Sequence, residues 1–282
     1  MKRTLLLLPL LLLGACRDDQ SGEPATPQEM YDKAQALIKP NVEQAQSDFA
    51  GALQWLHKAA EGGLLRAQLD LGGLYYAGGQ GVQPNAQKAW DWFSKAAAQG
   101  SREADVFLGM IRYEGLLGNK DKAEALKHWR LAAEAGIPEG QYRLGRVLAQ
   151  DEGTRAEGME WLVKASAGVP QAATALGNLY YKYLGDTETA AAWFEKGALA
   201  GDPLAQHIYA EMLLLGSPGP KDETRGMAML RMSAGQDYKP AMARLINILR
   251  NGKPSEESEK EAEAWNTRLQ ELQNQAGETA SK

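Results

Sequence analysis

The sequence predicts an all-α fold, a right-handed α-solenoid of helix-turn-helix repeats. A pair of apolar helical patterns recurs every 32 to 37 residues over residues 27–275. Glycines stand at the expected carboxyl ends of these helices, and Asp or Asn stands before their amino ends. Of the 282 residues, 44% are hydrophobic and 24% are charged. This composition provides a packed core and excludes a globally disordered chain.

The first 15 residues are expected to be a signal peptide that is removed. Lys2 and Arg3 precede an apolar stretch at residues 5–13. A helix of about 20 residues is needed to span a bilayer, so this stretch is too short. Residues 13–16, Leu-Gly-Ala-Cys, resemble the bacterial lipobox, in which the cysteine is acylated. The resemblance predicts lipidation at Cys16, the only cysteine of the chain; the alternative is an ordinary signal peptide with a chance cysteine.

Residues 16–26 are polar, contain Gly and Pro, and are predicted to form a flexible tether. In enteric lipoproteins, an Asp directly after the acylated cysteine retains the protein in the inner membrane. Arg17 stands at that place here. We therefore expect a periplasmic protein anchored in the inner leaflet of the outer membrane. Asp18, one residue later, leaves the inner membrane as an alternative.

Each repeat begins with a helix that carries apolar residues on one face. The copies are residues 52–63, 89–100, 125–136, 158–169, 190–201 and, more weakly, 226–237. The predicted N-caps are Asn85, Asp121, Asp186 and Asp222, and the predicted C-terminal glycines are Gly63, Gly100, Gly136 and Gly201. One slot holds Trp55, Trp92, Trp161, Trp193 and Trp265, with His128 and Met229 in the gaps. We interpret this slot as a core anchor between helices, the alternative being a ladder that stacks on a ligand.

A second helix follows and carries the dipeptide Leu-Gly with a small residue four positions before the Leu. The dipeptides begin at Leu71, Leu108, Leu144 and Leu176, and the small residues are Ala67, Ala104, Gly140 and Ala172. Residues with almost no side chain allow a neighbouring helix to approach closely. These positions are therefore explained by packing and need no catalytic role.

These segments resemble Sel-like repeats, relatives of the tetratricopeptide repeats. The matching motifs are Leu-Gly-x-Leu-Tyr at residues 71–75 and 176–180, Gly-x-Gly-Val at 79–82, and Lys-Ala-Ala at 58–60 and 95–97. The resemblance covers roughly residues 30–270 and recurs in phase. Residues 209–210 and 245–246 lack the Leu-Gly pair, which leaves the repeat boundaries uncertain there. The resemblance implies a solenoid that binds another protein.

Both ends of the repeat array are predicted to be caps. Residues 28–39 form a degenerate first helix, and residues 255–275 form a strongly polar last helix. A polar outer face suits the open end of a solenoid. Residues 276–282 are predicted to be a disordered tail.

Catalytic and cofactor motifs are lacking, so we expect a protein that is not an enzyme and holds no cofactor or metal. The sequence contains no Gly-x-Ser-x-Gly, His-Glu-x-x-His or P-loop motif, and the three histidines are scattered. Removal of Lys2 and Arg3 leaves 29 of the 31 basic residues against 36 acidic ones. This balance argues against a nucleic-acid partner. A peptidoglycan hydrolase is the opposing enzyme class, but it would need a nucleophile and base pair.

The second helices are predicted to line the concave face, by analogy with tetratricopeptide proteins. Positions one before and two after the Leu vary most within the chain. We predict partner contacts at Asp70, Phe107, Met110, Arg143, Arg146, Asn178, Glu211 and Arg244. The three arginines are expected to form a basic stripe. The alternative is ordinary variation of surface positions.

The preferred function is that of an immunity protein that binds and blocks an antibacterial effector in the periplasm. Some members of the repeat family protect against phospholipase effectors of type VI secretion, and this chain resembles them in its expected anchor. The alternatives are an outer-membrane lipoprotein scaffold for envelope or polysaccharide-export machinery, and a secreted virulence factor, which the lipid anchor disfavours.

Overall fold

The computed structural model describes residues 26–38, 48–252 and 255–280, with side chains up to residue 275. Within this part of the chain there are fourteen α-helices and no β-strand, which confirms the all-α repeat solenoid. The helices are α1 (Pro27–Ile38), α2 (Phe49–Glu61), α3 (Leu65–Ala77), α4 (Ala86–Ala98), α5 (Arg102–Glu114), α6 (Lys122–Glu134), α7 (Pro138–Leu148), α8 (Arg155–Ala165), α9 (Pro170–Leu179), α10 (Thr187–Leu199), α11 (Pro203–Leu215), α12 (Glu223–Ala234), α13 (Lys239–Asn251) and α14 (Glu256–Ala280).

The helices alternate between two types. We call α2, α4, α6, α8, α10 and α12 the A helices, and α3, α5, α7, α9, α11 and α13 the B helices. From α5 to α14, each helix packs against the next one in the sequence. The chain forms two compact units that divide between Trp92 and Phe93.

The predicted ends of the A helices are confirmed. The side chains of Asn85, Asp121, Asp186 and Asp222 each accept a hydrogen bond of 2.9–3.0 Å from the backbone N–H three residues later. These bonds satisfy donors that have no partner within the helix. Gly63, Gly100, Gly136 and Gly201 have φ between 82° and 96°, the left-handed region that side chains disfavour.

The glycine of the Leu-Gly pair leaves space in which a side chain of the next A helix packs. A Cβ atom at Gly177 would lie 2.7 Å from the Phe194 ring, and a Cβ atom at Gly109 would collide with the Trp129 indole. Where alanine replaces this glycine, at Ala210, the smaller Leu230 packs in the same core cluster. A glycine at this place therefore admits an aromatic ring in two repeats, whereas in a third repeat Gly145 packs against Leu162.

The tryptophan slot is only partly the core anchor that the sequence predicted. Trp92 is buried, but Trp55, Trp161, Trp193 and Trp265 are half-buried. The deepest position is the next residue, which is Leu56, Phe93, Trp129, Leu162, Phe194 or Leu230. Three of the half-buried indoles face the ammonium group of a lysine three residues later, with Lys58 4.0 Å from Trp55, Lys164 4.0 Å from Trp161 and Lys196 4.8 Å from Trp193.

A buried polar slot on the B helices was not predicted. Gln68, Gln141 and Gln206 donate hydrogen bonds of 3.1–3.2 Å from their side-chain amides to carbonyl oxygens near the end of the preceding A helix. Each of those carbonyls also accepts a hydrogen bond of 3.0–3.1 Å from the backbone N–H of the glycine three residues later. In the second repeat, Asp105 occupies this slot and contacts His128 instead.

A helix lies at each predicted cap. Helix α1 begins at Pro27, as expected for the degenerate first helix, and α14 packs Trp265 against the core cluster around Leu245. Helix α14 continues to Ala280, beyond the start of the predicted tail, because no proline interrupts it and Gly277 weakens a helix by only about 1 kcal/mol. The predicted signal peptide and the lipidation site Cys16 lie outside the described residues. Among the described helices, none is both long and apolar enough to cross a membrane.

Candidate partner-binding site

Within each B helix, the predicted contact positions lie on the same side of that helix. Each residue turns the helix by about 100°, so positions one before and two after the buried Leu emerge on the same side of the helix. In the second unit this side carries two adjoining grooves. They are named here by the B helices that flank them, the α7–α9 groove and the α9–α11 groove.

The α7–α9 groove has a volume of about 400 Å³ and a mainly apolar lining. It is lined by Tyr142, Arg146, Ala149, Gln150, Leu162, Gln171, Thr174, Ala175, Asn178, Leu179, Lys182, Tyr183, Asp202 and Leu204. Leu162, Thr174 and Asp202 are buried and form its floor. The Asp202 carboxylate accepts hydrogen bonds from the Thr174 hydroxyl and, at 3.2 Å, from the Ala205 amide that it caps. This acid is therefore already held by the fold.

Three cations contact the two tyrosine rings that line the α7–α9 groove. The Arg146 guanidinium lies 5.6 Å from the centre of the Tyr142 ring, and Arg155 lies 4.2 Å from that of Tyr183. Lys182 lies 5.2 Å from the same Tyr183 ring. An arginine on an aromatic face keeps its planar group available to a partner on its outer side.

A π-helical turn, Tyr180–Leu184, joins α9 to the next A helix. It exposes 61% of Tyr181 and 46% of Tyr183, and Leu184 beside them is also exposed. Single π-helical turns are frequent at functional sites. The sequence analysis missed this turn. The available signal was Lys182-Tyr183 at the place where the first repeat, aligned on its Leu-Gly-x-Leu-Tyr motif, has Ala77-Gly78.

The α9–α11 groove has a volume of about 370 Å³ and lies beside the first. It is lined by Asn178, Tyr181, Thr187, Phe194, Ile208, Glu211, Met212, Leu215 and Ser217. Asn178 lines both grooves, while Tyr181 lines this one and Tyr183 lines the other. The π turn thus places one tyrosine in each groove, on either side of a shared amide.

The structure brings together three of the eight predicted contact residues, namely Arg146, Asn178 and Glu211. Asp70 belongs to the first unit, where it accepts a 2.7 Å hydrogen bond from the Tyr31 hydroxyl. Phe107 is half-buried and stacks on Phe93 with centroids 4.5 Å apart. Met110 is half-buried against the core cluster around Trp129. Packing within the fold therefore accounts for the apolar pair.

The predicted basic stripe is largely neutralised. Arg143 is paired with Glu139, and Arg244 with Glu211, both at 2.6 Å. The sequence prediction counted the arginines without these acids, which lie one helical turn away or on the neighbouring B helix. Among the described residues, Arg146 has no acidic partner within ion-pair distance, so it keeps the positive charge that was predicted for all three.

A half-buried histidine, His207, directly precedes Ile208 of the α9–α11 groove. His207 Nδ1 is buried without a hydrogen-bond partner, and the ring lies 5.6 Å from that of Tyr238. Burial lowers the pKa of His207 below its ordinary value of 6.5, with Glu211 opposing the shift and Arg244 adding to it. In the part of the chain that the structure describes, no three His, Cys, Asp or Glu side chains are grouped as a metal site requires.

The repeats are matched by one family profile along most of the chain. The Sel1 repeat profile matches residues 30–64, 65–101, 102–137, 138–168, 170–202 and 203–238. The chain belongs to the Sel1 repeat family. From residue 65 onwards, each matched repeat starts at a B helix, and residues 239–280 lie beyond the matched segments. Sel1 repeats form a protein-interaction fold and typically act as scaffolds without catalysis.

Solved structures share this fold. A protective antigen of uropathogenic Escherichia coli matches 90% of the chain with 28% identity and a TM-score of 0.70, and the chain covers 57% of that protein's length. A Sel1 repeat protein of Oxalobacter formigenes matches 87% of the chain with 24% identity and a TM-score of 0.71, over 98% of its own length. An immunity protein of Pseudomonas aeruginosa matches 74% of the chain at 20% identity and a TM-score of 0.50, over 81% of its own length. No curated protein sequence matches the chain.

Proposed function

We propose that this Sel1 repeat protein is a non-enzymatic binding module that holds a protein partner on the side of its B helices. The observation that carries the proposal is the pair of adjoining grooves with exposed Tyr181 and Tyr183 between them. Tyrosine and arginine are enriched where binding energy concentrates in protein interfaces. Apolar patches of this kind on a soluble surface mark interaction sites.

The partner is an antibacterial effector, and the protein acts as its immunity protein. Two points support this assignment. The lipobox-like residues 13–16 favour an anchor at Cys16 that holds the repeats in the periplasm, on the inner leaflet of the outer membrane. The Pseudomonas aeruginosa immunity protein shares the repeat fold. A phospholipase effector of type VI secretion acts in that compartment, so an anchored protein meets it before it reaches its substrate.

Protection works by occlusion. The immunity protein covers the effector surface through which the lipid substrate enters, and it needs no chemistry of its own. Because an enzyme turns over repeatedly, capture has to be nanomolar or tighter, which corresponds to about −12 kcal/mol. Interfaces of this strength usually bury about 1,200–2,000 Å². Side chains from several repeats therefore contribute beyond the two grooves.

The test is growth of cells that export the effector encoded beside this gene into their periplasm. Co-production of the wild-type protein restores growth. The double variant Tyr181→Ala/Tyr183→Ala, exported at the same level, does not. If deletion of the gene leaves cells indifferent to every neighbouring effector but abolishes an exported polysaccharide, the immunity assignment is wrong and the lipoprotein acts as an envelope scaffold.

A further inference from the structure

The amide of Asn178 stands at the wall shared by the two grooves. Its side chain is exposed, and within the described residues it makes no hydrogen bond. A carboxamide offers both a donor and an acceptor. It therefore matches the C=O and N–H of a peptide group that crosses from one groove to the other.

Each groove is suited to one apolar side chain. The floor of the α7–α9 groove contains Leu162 and Leu179, and the α9–α11 groove is lined by Phe194, Ile208 and Met212. In an extended segment, alternate side chains point to the same side, while the backbone runs between them. Two apolar residues on that side can fill both grooves while the intervening peptide group meets Asn178.

The positive charge at the α7–α9 groove favours acidic residues in the rest of a bound extended segment. Arg146 and Lys182 line it, and neither has an acidic partner within ion-pair distance in the described part of the chain. The only acid in its lining, Asp202, is buried and bonded to Thr174 and the start of α11. Elsewhere on the B helices, Arg143 and Arg244 are neutralised by glutamates. The groove is thus locally positive on a chain with a net charge of −5.

We propose that these grooves recognise an extended acidic segment of the partner that carries two apolar anchor residues, with its backbone bound by Asn178. This inference deepens the proposed function and rests on it, because it names the part of the partner that the B helices hold. The segment's carboxylates lie against Arg146 and Lys182, and its anchors contact Tyr183 in one groove and Tyr181 in the other.

The experiment is selection of a random dodecapeptide display library on the purified full chain, followed by fluorescence anisotropy with the enriched peptides. The expected enriched sequences combine Asp or Glu with two large apolar residues. Arg146→Ala/Lys182→Ala and, separately, Asn178→Ala each weaken binding by about tenfold or more, and added salt weakens it too. The matched control Arg130→Ala/Arg250→Ala removes two charges that are paired with Glu157 and Glu263, and it changes the affinity by less than about threefold.

Three results would overturn the inference. The library yields no binder, the enriched peptides are neutral or basic, or the groove variants and the control bind alike. Circular dichroism and thermal unfolding of each variant exclude misfolding as the cause of a loss. If the peptide-binding experiment fails while the protein still protects cells, the effector binds another surface. Success here without protection means that the grooves serve a partner other than an effector.

Discussion

The carboxylate of Asp105 lies 2.9 Å from Nδ1 of His128, and both residues depart from the repeat in which they lie. Asp105 takes the slot where α3, α7 and α11 have glutamine, and His128 takes the slot where four other A helices have tryptophan. Only 2% of Asp105 is exposed, and Arg102 contributes a second contact at 2.9 Å. The two departures from the repeat pattern therefore form one polar pair, in which the Asp105 carboxylate is buried.

This pairing predicts that the two positions are energetically coupled. Asp105→Ala and His128→Ala each destabilise the protein, and the double variant loses less than the sum by about 1 kcal/mol or more, because either change alone already removes the contact between the two side chains. Urea unfolding of the four proteins measures the coupling. Strictly additive losses would show that the contact has no role in stability.

The tryptophan slot and the position after it differ in burial, so truncating the two side chains is predicted to lower the free energy of unfolding by different amounts. Phe194→Ala costs about 3–5 kcal/mol, because it empties the cavity above Gly177. Trp193→Ala costs about 2 kcal/mol, since the half-buried indole keeps part of its surface in water and is replaced there by solvent. Unfolding free energies compare the two directly. A larger loss for Trp193 would place the anchor in the tryptophan slot, as the sequence first indicated.

The environment of His207 predicts a stability that falls in mild acid. Burial holds its pKa below 6.5 in the folded protein, whereas in the unfolded chain it takes up a proton near 6.5. As the pH falls through that value, the unfolded state binds more protons and the free energy of unfolding decreases. His207→Asn flattens this dependence relative to wild type between about pH 7.5 and pH 5.5. Parallel curves for the two proteins would show that His207 does not contribute.

The lipobox-like sequence predicts an anchor that depends on one residue. Cys16→Ser leaves an unlipidated precursor, and the protein leaves the membrane fraction because the acyl chains that hold it are missing. Fractionation with an immunoblot gives the result. A Cys16→Ser protein that still sediments with membranes as wild type does would make residues 1–15 an ordinary leader or a different kind of anchor.

The repeat period, the helix caps and the small residues could be predicted from sequence because each depends on local chemistry. An N-cap such as Asp121 and a left-handed glycine such as Gly136 follow from hydrogen bonding and φ within a few residues. The tryptophan slot is predicted to be a core anchor, yet the next residue is buried more deeply, because adjacent positions on a helix differ by only about 100° and periodicity alone does not separate them.

The candidate site was less predictable because it depends on contacts between helices. Arg143 and Arg146 both occupy predicted contact positions, yet only Arg143 is paired with a neighbouring acid, Glu139. The tyrosines of the π turn escaped the prediction because they lie past the end of the Leu-Gly helix, in a segment where the family has a loop. Of the eight predicted contact residues, three line the grooves, namely Arg146, Asn178 and Glu211.

Two leucines provide the most direct test of binding on the B-helix side. Leu215 at the end of α11 is 72% exposed and lines the α9–α11 groove, while Leu199 at the end of α10 is 69% exposed and lies outside both grooves. Dissociation of the purified effector from immobilised wild type, Leu215→Ala and Leu199→Ala is measured by surface plasmon resonance. Leu215→Ala is expected to speed dissociation by about tenfold and Leu199→Ala by less than about twofold. Equal rates for the two variants, or a larger effect at Leu199, would contradict capture of the partner in these grooves.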